Sequence, residues 1–263
     1  MDASIRISVL AENHSGVRTR AEHGLSYLVE TDGSRILFDT GQSDLFLQNA
    51  ALLDIDPASI DMIVLSHGHF DHGNGLPSIQ GKILICHPGC FVRRYRKSDR
   101  TYIGLGNTKD EISSMFNLIT SAGPYRITER VFFLGEIPRL TDFESVETSF
   151  VFGDGSPDFV KDDSAIAVVL PDGLFILTGC GHSGIVNTVE YALKVTSTER
   201  IYGIMGGFHL KEVNRQMTET IKYLGKKEVR HILPSHCTEL PALSAFHESF
   251  GNRQIKTGDI LNF

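Results

Sequence analysis

Ser66-His67-Gly68-His69-Phe70-Asp71-His72 decides how this chain is read. Three imidazoles and a carboxylate crowd into one loop, directly after the apolar run Met62-Ile63-Val64-Leu65. That run reads as a buried strand, and its abrupt end leaves the polar residues at a strand terminus. Imidazole and carboxylate together suit Zn²⁺ or another first-row divalent ion. Two ligand sets are interleaved, His67 with His69 and Asp71 with His72, as two adjacent ions require. A solvated polar loop, or histidines capping a strand, is the plainer alternative; it leaves the concentration of ligands unexplained.

Outward from this loop the pattern is β-α. Ile5, Ile7 and Val9 alternate as a strand. Leu25–Glu30 and Arg35–Phe38 flank Thr31-Asp32-Gly33-Ser34, whose Asp-Gly predicts a hairpin. The hairpin runs into Asp39-Thr40-Gly41, then a helix capped by Ser43 and reaching about Leu53, and after the histidine loop a short strand Lys82–Cys86. The second half repeats the order. Ala165–Leu170, Pro171-Asp172-Gly173 and Leu174–Leu177 form a hairpin that ends in Thr178-Gly179-Cys180. A helix over about 185–195 follows, then strand Ile201–Met205 with Gly206-Gly207-Phe208-His209. A helix over about 214–224, ended by Gly225, precedes strand Val229–Leu233 and Pro234-Ser235-His236. Two matching halves predict an α/β protein, an αββα four-layer sandwich with polar residues delivered from strand ends. No linker separates them, so one domain over residues 1–263 is expected. An insertion at about 91–128 carries Arg93, Arg94, Arg96, Lys97 and Arg100, then a helix from Lys109 to Ile119. It reads either as a solvated basic loop or as a helical lid whose arginines grip a phosphate or carboxylate.

A length of 263 residues allows one large domain or two small ones. The formal net charge of −7 provides no global field for nucleic acid or anionic lipid. No apolar run has membrane-spanning length, and nothing at the start resembles a secretory leader. Cys86, Cys90, Cys180 and Cys237 form no CxxC pair and no disulfide-framework spacing, in keeping with a reducing compartment. The expectation is a cytoplasmic protein with a small-molecule partner; oligomeric state stays open.

His67-Gly68-His69-Phe70-Asp71-His72 resembles the HxHxDH signature of the metallo-β-lactamase fold superfamily. Asp39-Thr40-Gly41 resembles its first motif, whose carboxylate supports the histidine loop. Thr178-Gly179-Cys180 stands where most members carry Thr-Gly-Asp, and Pro234-Ser235-His236 resembles the last motif. Glu22-His23-Gly24-Leu25-Ser26, Gly179-Cys180-Gly181-His182-Ser183-Gly184, Gly207-Phe208-His209-Leu210 and Ser235-His236-Cys237-Thr238 resemble one branch. That branch holds the archaeal methanopterin-pathway dihydropterin-6-methyl-ribofuranosylaminobenzene phosphate synthases and their bacterial relatives. The resemblance implies two Zn²⁺ per chain, with Mn²⁺ or Fe²⁺ as alternatives. His67, His69, Asp71, His72, Cys180, His182 and His236 are the implied ligands. Asp71 and His209 are the catalytic candidates, and His23, Arg93, Arg94, Arg96 and His209 those facing a phosphorylated substrate.

Two departures matter. Cysteine replaces the bridging aspartate at position 180; thiolate is a good zinc ligand, although the residue can also be a buried passenger. The usual third-motif histidine is missing where the chain reads Lys161-Asp162-Asp163-Ser164. Either Asp163 substitutes for it, or His182 swings in, with His209 a further candidate. Residues 179–184 also satisfy GxGxxG, but the next strand ends in Gly206-Gly207-Phe208-His209 and brings no acidic residue for a ribose.

The resulting expectation is a dinuclear metal-dependent hydrolase, or a pterinylmethyl-type transferase, acting on a small phosphorylated metabolite. The alternative is a substrate-binding or redox-sensing protein on a degenerate metallohydrolase scaffold, with Cys180 and Cys237 as reporters.

Overall fold

The turn Asp32-Gly33 shows how local chemistry starts the architecture. Both residues lie in the left-handed region, φ 53° and 73°, and Thr31 pairs with Ser34 across them. That is the two-residue hairpin geometry that Asp-Gly favours. A computed structural model describes residues 4–263. In chain order its strands are β1 Arg6–Ala11, β2 Ser26–Thr31, β3 Ser34–Phe38, β4 Met62–Val64, β5 Ile83–Cys86, β6 Arg94–Arg96, β7 Asn117–Thr120 and β8 Tyr125–Arg126. Then come β9 Val131–Phe133, β10 Phe150–Phe152, β11 Ala165–Leu170, β12 Gly173–Thr178, β13 Ile201–Gly207, β14 His231–Ser235 and β15 Ile260–Asn262. The helices are α1 Leu45–Leu52, α2 Phe70–Gly73, α3 Lys109–Met115, α4 Ile185–Thr196, α5 Arg215–Lys226 and α6 Leu240–Phe250.

The chain forms two compact units. The first comprises Met1–Ala122, Thr148–Asp158 and Lys256–Phe263; the second comprises Gly123–Glu147 and Phe159–Ile255. Among the described residues, the first unit holds a seven-stranded sheet in the order β15-β1-β2-β3-β4-β5-β7, and a ribbon of β6 with β10. The second holds a sheet in the order β14-β13-β12-β11-β9-β8.

The sequence repeat reappears as a topological repeat. In the first unit β1 and β2 pair antiparallel, the hairpin β2-β3 follows, and β4 and β5 continue in parallel. In the second, β9 and β11 pair antiparallel, the hairpin β11-β12 follows, and β13 and β14 continue in parallel. Loops after the carboxyl ends of parallel strands are where open α/β sheets place their ligands. Asp39 follows β3, His67 follows β4 with two residues between, Cys180 follows β12, Phe208-His209 follow β13, and His236 follows β14.

Each unit has its own core. In the first, Leu28, Leu37, Ile63 and Leu84 of the sheet pack with Phe46 and Ala50 of α1. In the second, Ile176 and Ile204 pack with Val189 and Leu193 of α4 and Phe246 of α6.

Three expectations change. The helix from Lys109 stops at Met115 rather than Ile119. Thr108 and Glu111 form a capping box at its start, but Phe116 is extended, and Asn117–Thr120 pair in parallel with β5. An open sheet edge beside β-branched Ile119 and Thr120 outweighs weak helical propensity there. The basic segment at 91–128 is more ordered than a loop, since Arg94–Arg96 pair antiparallel with Phe150–Phe152. Gly225 lies inside the last turn of α5, and Glu228 takes the left-handed position beyond it, φ 52°. No helix among the described residues is long and apolar enough to cross a membrane.

Phe246 is fully buried, with its ring centroid 5.5 Å from that of Phe208 in an edge-on arrangement. Phe246→Ala is expected to cost about 3–5 kcal/mol in urea denaturation of the purified protein. A loss below about 1 kcal/mol would mean that this core collapses onto the space.

Candidate metal centre

In the first unit the histidine loop hangs on one carboxylate. Asp39 is fully buried and has a left-handed backbone, φ 60°. Its Oδ1 accepts the Ser66 backbone N–H at 2.7 Å, its Oδ2 the Ser66 hydroxyl at 2.7 Å, and Oδ2 lies 2.7 Å from His72 Nδ1. A carboxylate can only accept, so His72 carries a proton on Nδ1 and turns Nε2 away from Asp39, as the nitrogen left for a metal. Ser66 extends the chain: its proton goes to Asp39, so its oxygen accepts from His67 Nδ1 at 2.9 Å. That leaves a lone pair on His67 Nε2, which lies 2.9 Å from His69 Nδ1. Burial, then the neighbouring His72 and His69, hold His67 well below its usual pKa, so its ring is neutral and able to ligate.

Backbone contacts reinforce this arrangement. Thr40 donates both its N–H and its hydroxyl to the His72 carbonyl, at 2.7 and 3.1 Å. The single turn α2 sets Asp71 and His72 in succession, and His72 Nε2 lies 3.8 Å from Asp71 Oδ2. Gly68 has no alternative, because a Cβ there would sit 1.9 Å from the Cys90 carbonyl oxygen. His23 is more than half exposed, and its Nε2 lies 3.2 Å from Asp71 Oδ2. Glu22 takes the backbone N–H groups of Gln42 and Ser43 at 3.0 and 3.3 Å, which fixes the turn after Asp39.

The arginines divide. Arg93 and Arg96 are exposed, Arg93 over the Tyr102 ring and Arg96 beside Asp99. Arg94 is buried, with Nε 3.4 Å from Asp158 and a hydrogen bond to the Gly89 carbonyl at 3.1 Å. Its guanidinium ties β6 into the unit, whereas the sequence suggested a group turned toward substrate.

In the second unit the turn after β12 carries Cys180 and His182. Gly181 and Gly184 are left-handed, φ 67° and 95°, and α4 begins at once. Glu144 reaches that helix start from another loop, its two oxygens accepting Val186 N–H and Asn187 N–H at 2.8 Å each. Burial raises the Glu144 carboxyl, while these N–H groups pull the other way. A carboxylate at a helix N-terminus also meets the positive end of the helix dipole. Ser183 N–H donates to Asp163 Oδ2 at 2.8 Å, and Asp163 Oδ1 is buried with no hydrogen-bond partner among the described residues.

Cys180, His182 and His209 bring their ligand atoms within 4.8 Å of one another, and so do Cys180, His236 and Cys237. The rings of His182 and His209 lie 4.3 Å apart. His209 and His236 are both left-handed, φ 48° and 51°, which aims each imidazole as its strand ends. Burial pushes the Cys237 thiol up, but hydrogen bonds to Cys180 and His209, with the charges of His236 and His209, hold it well below the usual thiol range. Of the alternatives for the missing histidine, His182 joins a donor cluster, and Asp163 braces the same turn through Ser183.

Imidazoles oriented around Asp39 in one unit, and separately thiols among imidazoles in the other, are each donors that a borderline-soft divalent ion takes. The residues fit such an ion. Sequence reasoning gave no role to Ser66 or Glu144. Ser66 was signalled by its place between strand and histidine loop; Glu144 lies in an unpatterned loop and had no signal.

Comparison with known proteins points the same way. The sequence profile of the metallo-beta-lactamase superfamily matches residues 19–88. The chain is 35% identical, over 99% of its length and 97% of the relative, to the 7,8-dihydropterin-6-methyl-4-(beta-D-ribofuranosyl)-aminobenzene-5'-phosphate synthase of Methanocaldococcus jannaschii. It is also 35% identical to an uncharacterised protein of that organism, over 90% of this chain and 92% of the other. Among solved structures, a metal-dependent hydrolase of the beta-lactamase superfamily superposes with a TM-score of 0.86 at 28% identity, covering 98% of both chains. The fold is the metallo-β-lactamase fold that the motifs implied.

Asp163 yields a pH prediction for the metal-free protein. Burial, set against the Ser183 N–H and Arg139, raises its carboxyl from 3.8 to about 6. The folded state therefore favours the protonated form. Stability falls as pH rises through about 4 to 6 and levels off above, by an amount on the order of 3 kcal/mol. Asp163→Asn keeps an acceptor for Ser183 and carries no charge. In urea denaturation at about pH 4 and about pH 8, chelator-treated variant is expected to lack that fall; an equal pH dependence in both proteins refutes it.

Proposed function

Because the chain belongs to the metallo-β-lactamase superfamily, in the branch of the M. jannaschii synthase, we propose that it is a dinuclear metal-dependent enzyme of small phosphorylated metabolites. The reading favoured is transfer of a pterinylmethyl-type group from a diphosphate to an arylamine ribose phosphate. The observation that carries it is whole-length identity of 35% to the synthase, together with the hydrogen bonds that tie Ser66 and His72 to Asp39. Hydrolysis is the second reading, favoured by the 28% identity to a metal-dependent hydrolase.

The proposed ligands are His67, His69, Asp71 and His72 from the first unit and Cys180, His182 and His236 from the second. Bound divalent ions supply Lewis-acid polarisation of a phosphoryl or carbonyl oxygen and lower the pKa of water. The chain's own residues do the rest. Asp39 and Ser66 hold the tautomers of His72 and His67, so that the ligand nitrogens are ready before any ion arrives. Asp71, with His23 at 3.2 Å, orients the attacking amine or water and takes its proton. His209 faces the substrate, and the exposed Arg93 and Arg96 neutralise phosphate oxygens. The four free cysteines suit a reducing compartment, and we read the protein as cytoplasmic.

Elemental analysis of protein expressed without added metal is expected to give about two zinc per chain, falling toward one in His67→Ala or His182→Ala. One metal or none, unchanged in both variants, defeats the dinuclear reading and favours a binding or redox-sensing protein. Diphosphate release from a pterinylmethyl diphosphate separates the two chemistries. Release that depends on the arylamine means transfer, whereas release in its absence means hydrolysis.

A further inference from the structure

Four cysteines occur in this chain, and the structure sorts them into two kinds. Cys86 and Cys90 are buried within the hydrophobic core of the first unit, among leucine, isoleucine and phenylalanine side chains. Neither belongs to a cluster of donor atoms among the described residues. Cys180, though buried, and Cys237 belong to neither of the two cores described above. Their sulfurs are grouped with imidazoles, and Cys180 belongs to two donor clusters in the second unit. A passenger cysteine prefers apolar neighbours; these two have polar ones.

The local fold is arranged around this pair. The Cys237 sulfur lies 3.4 Å from the Cys180 carbonyl oxygen, and its thiol is within hydrogen-bond reach of the Cys180 and His209 side chains. The turn that presents it is pinned on both sides: Thr238 N–H donates to the Ser235 carbonyl at 2.9 Å, and the Thr238 hydroxyl accepts Phe208 N–H at 3.1 Å. The left-handed backbone at His236 lets two consecutive side chains serve one cluster. Gly207 supplies the remaining condition. A Cβ there would come 2.6 Å from the Cys237 sulfur and 3.0 Å from Cys180 Cα, so any larger residue closes the space in which the thiols meet.

We propose that Cys237 is itself a metal ligand, and that Cys180, His236 and Cys237 form a two-thiolate, one-imidazole set that selects Zn²⁺ over harder divalent ions. The inference rests on the metal-centre reading above, which already includes Cys180 and His236, and adds a second sulfur to it. In a tetrahedral zinc site with Zn–S near 2.3 Å, neighbouring ligand atoms stand roughly 3.3–3.8 Å apart. The three donor atoms lie within 4.8 Å of one another, so small side-chain adjustments bring them onto one ion. Three protein ligands leave a fourth position open, the pattern of a catalytic rather than a closed structural zinc. Both thiols lose their protons on binding, and the protons pass to solvent. His209, beside the Cys237 sulfur, then acts as a hydrogen-bond donor that tunes it. Soft thiolates disfavour Mn²⁺ and Mg²⁺, which prefer oxygen donors.

The test uses Co²⁺ as the probe. Full-length protein is reduced, stripped with a chelator and reloaded with Co²⁺ under anaerobic conditions. Bound cobalt is counted, and the thiolate-to-cobalt charge-transfer absorbance in the near ultraviolet is recorded per chain. Cys237→Ser and Cys180→Ser are each expected to lose about half of that absorbance or more, and Cys86→Ser to lose none. Wild-type absorbance in Cys237→Ser, with cobalt still bound, overturns the assignment and leaves the metal-centre reading intact. No cobalt bound by the wild type overturns the metal-centre reading itself. A competition on wild-type protein guards against a variant that fails to fold: Zn²⁺ is expected to displace Mn²⁺ with a preference of at least about 100-fold. Equal affinities refute the two-thiolate site.

Discussion

The buried carboxylate of Asp39 is the interaction on which the first unit's chemistry depends. It accepts from Ser66 N–H, Ser66 Oγ and His72 Nδ1, each at 2.7 Å. Hydrogen bonds to a charged group contribute about 1.5–3 kcal/mol each, and a buried donor left unmet costs a similar amount. The loop thus has one low-energy arrangement, in which strand end, serine and histidine ring are fixed together. That arrangement also settles where the protons are. Because Ser66 donates to Asp39, it accepts from His67 Nδ1, and His67 Nε2 is left as an electron-pair donor. A single aspartate between β3 and α1 thereby fixes the tautomers of two histidines roughly thirty residues along the chain.

The second unit reaches a comparable result by other means. It has no central aspartate of that kind in its turn after β12. Instead a loop carboxylate, Glu144, takes the first N–H groups of α4, while Asp163 takes Ser183 N–H. Both anchors hold the chain immediately after Cys180 and His182, at Ser183 and at the start of α4. Gly184 is required at the junction, because a Cβ there would stand 2.4 Å from the Glu144 carboxyl carbon. The left-handed residues at Asp39, His209 and His236 carry a cost on the order of 1–3 kcal/mol each. Strain of that size persists where packing over-determines it, and here it occurs at the ends of β3, β13 and β14.

Much of this was legible in the sequence because the governing physics was local. Asp32-Gly33 specifies its hairpin within four residues, and the apolar run before His67 specifies a strand end. The repeat of hairpin, helix and strand is visible because each unit uses the same order of short-range signals. The parts that were not legible depend on partners far away in the chain. Ile119 and Thr120 become β7 only because β5 offers an open edge, and nothing between 109 and 120 announces it. Arg94 reads as one of five basic residues in a loop until Asp158 is found beside it, sixty-four positions later. Glu144 is one carboxylate in an irregular stretch until α4 presents its N–H groups.

The two units also differ in what they offer an ion. The first contributes imidazoles and a carboxylate, with lone pairs set by Asp39 and Ser66. The second contributes sulfur beside imidazole, at Cys180 and again at Cys237. Where the resemblance to the superfamily implies a bridging aspartate, this chain offers a softer donor, the Cys180 thiol. A lone thiol at position 180 would be a modest change, because zinc accepts oxygen and sulfur alike. A second thiol, admitted by Gly207 and aimed by the left-handed turn at His236, is a different matter. As ligands, two sulfurs would narrow the choice of metal and make that choice depend on the thiols remaining reduced. On the two-thiolate assignment, metal preference is set less by the histidine loop that first identifies this chain than by the turns that carry Cys180, His236 and Cys237 in the second unit.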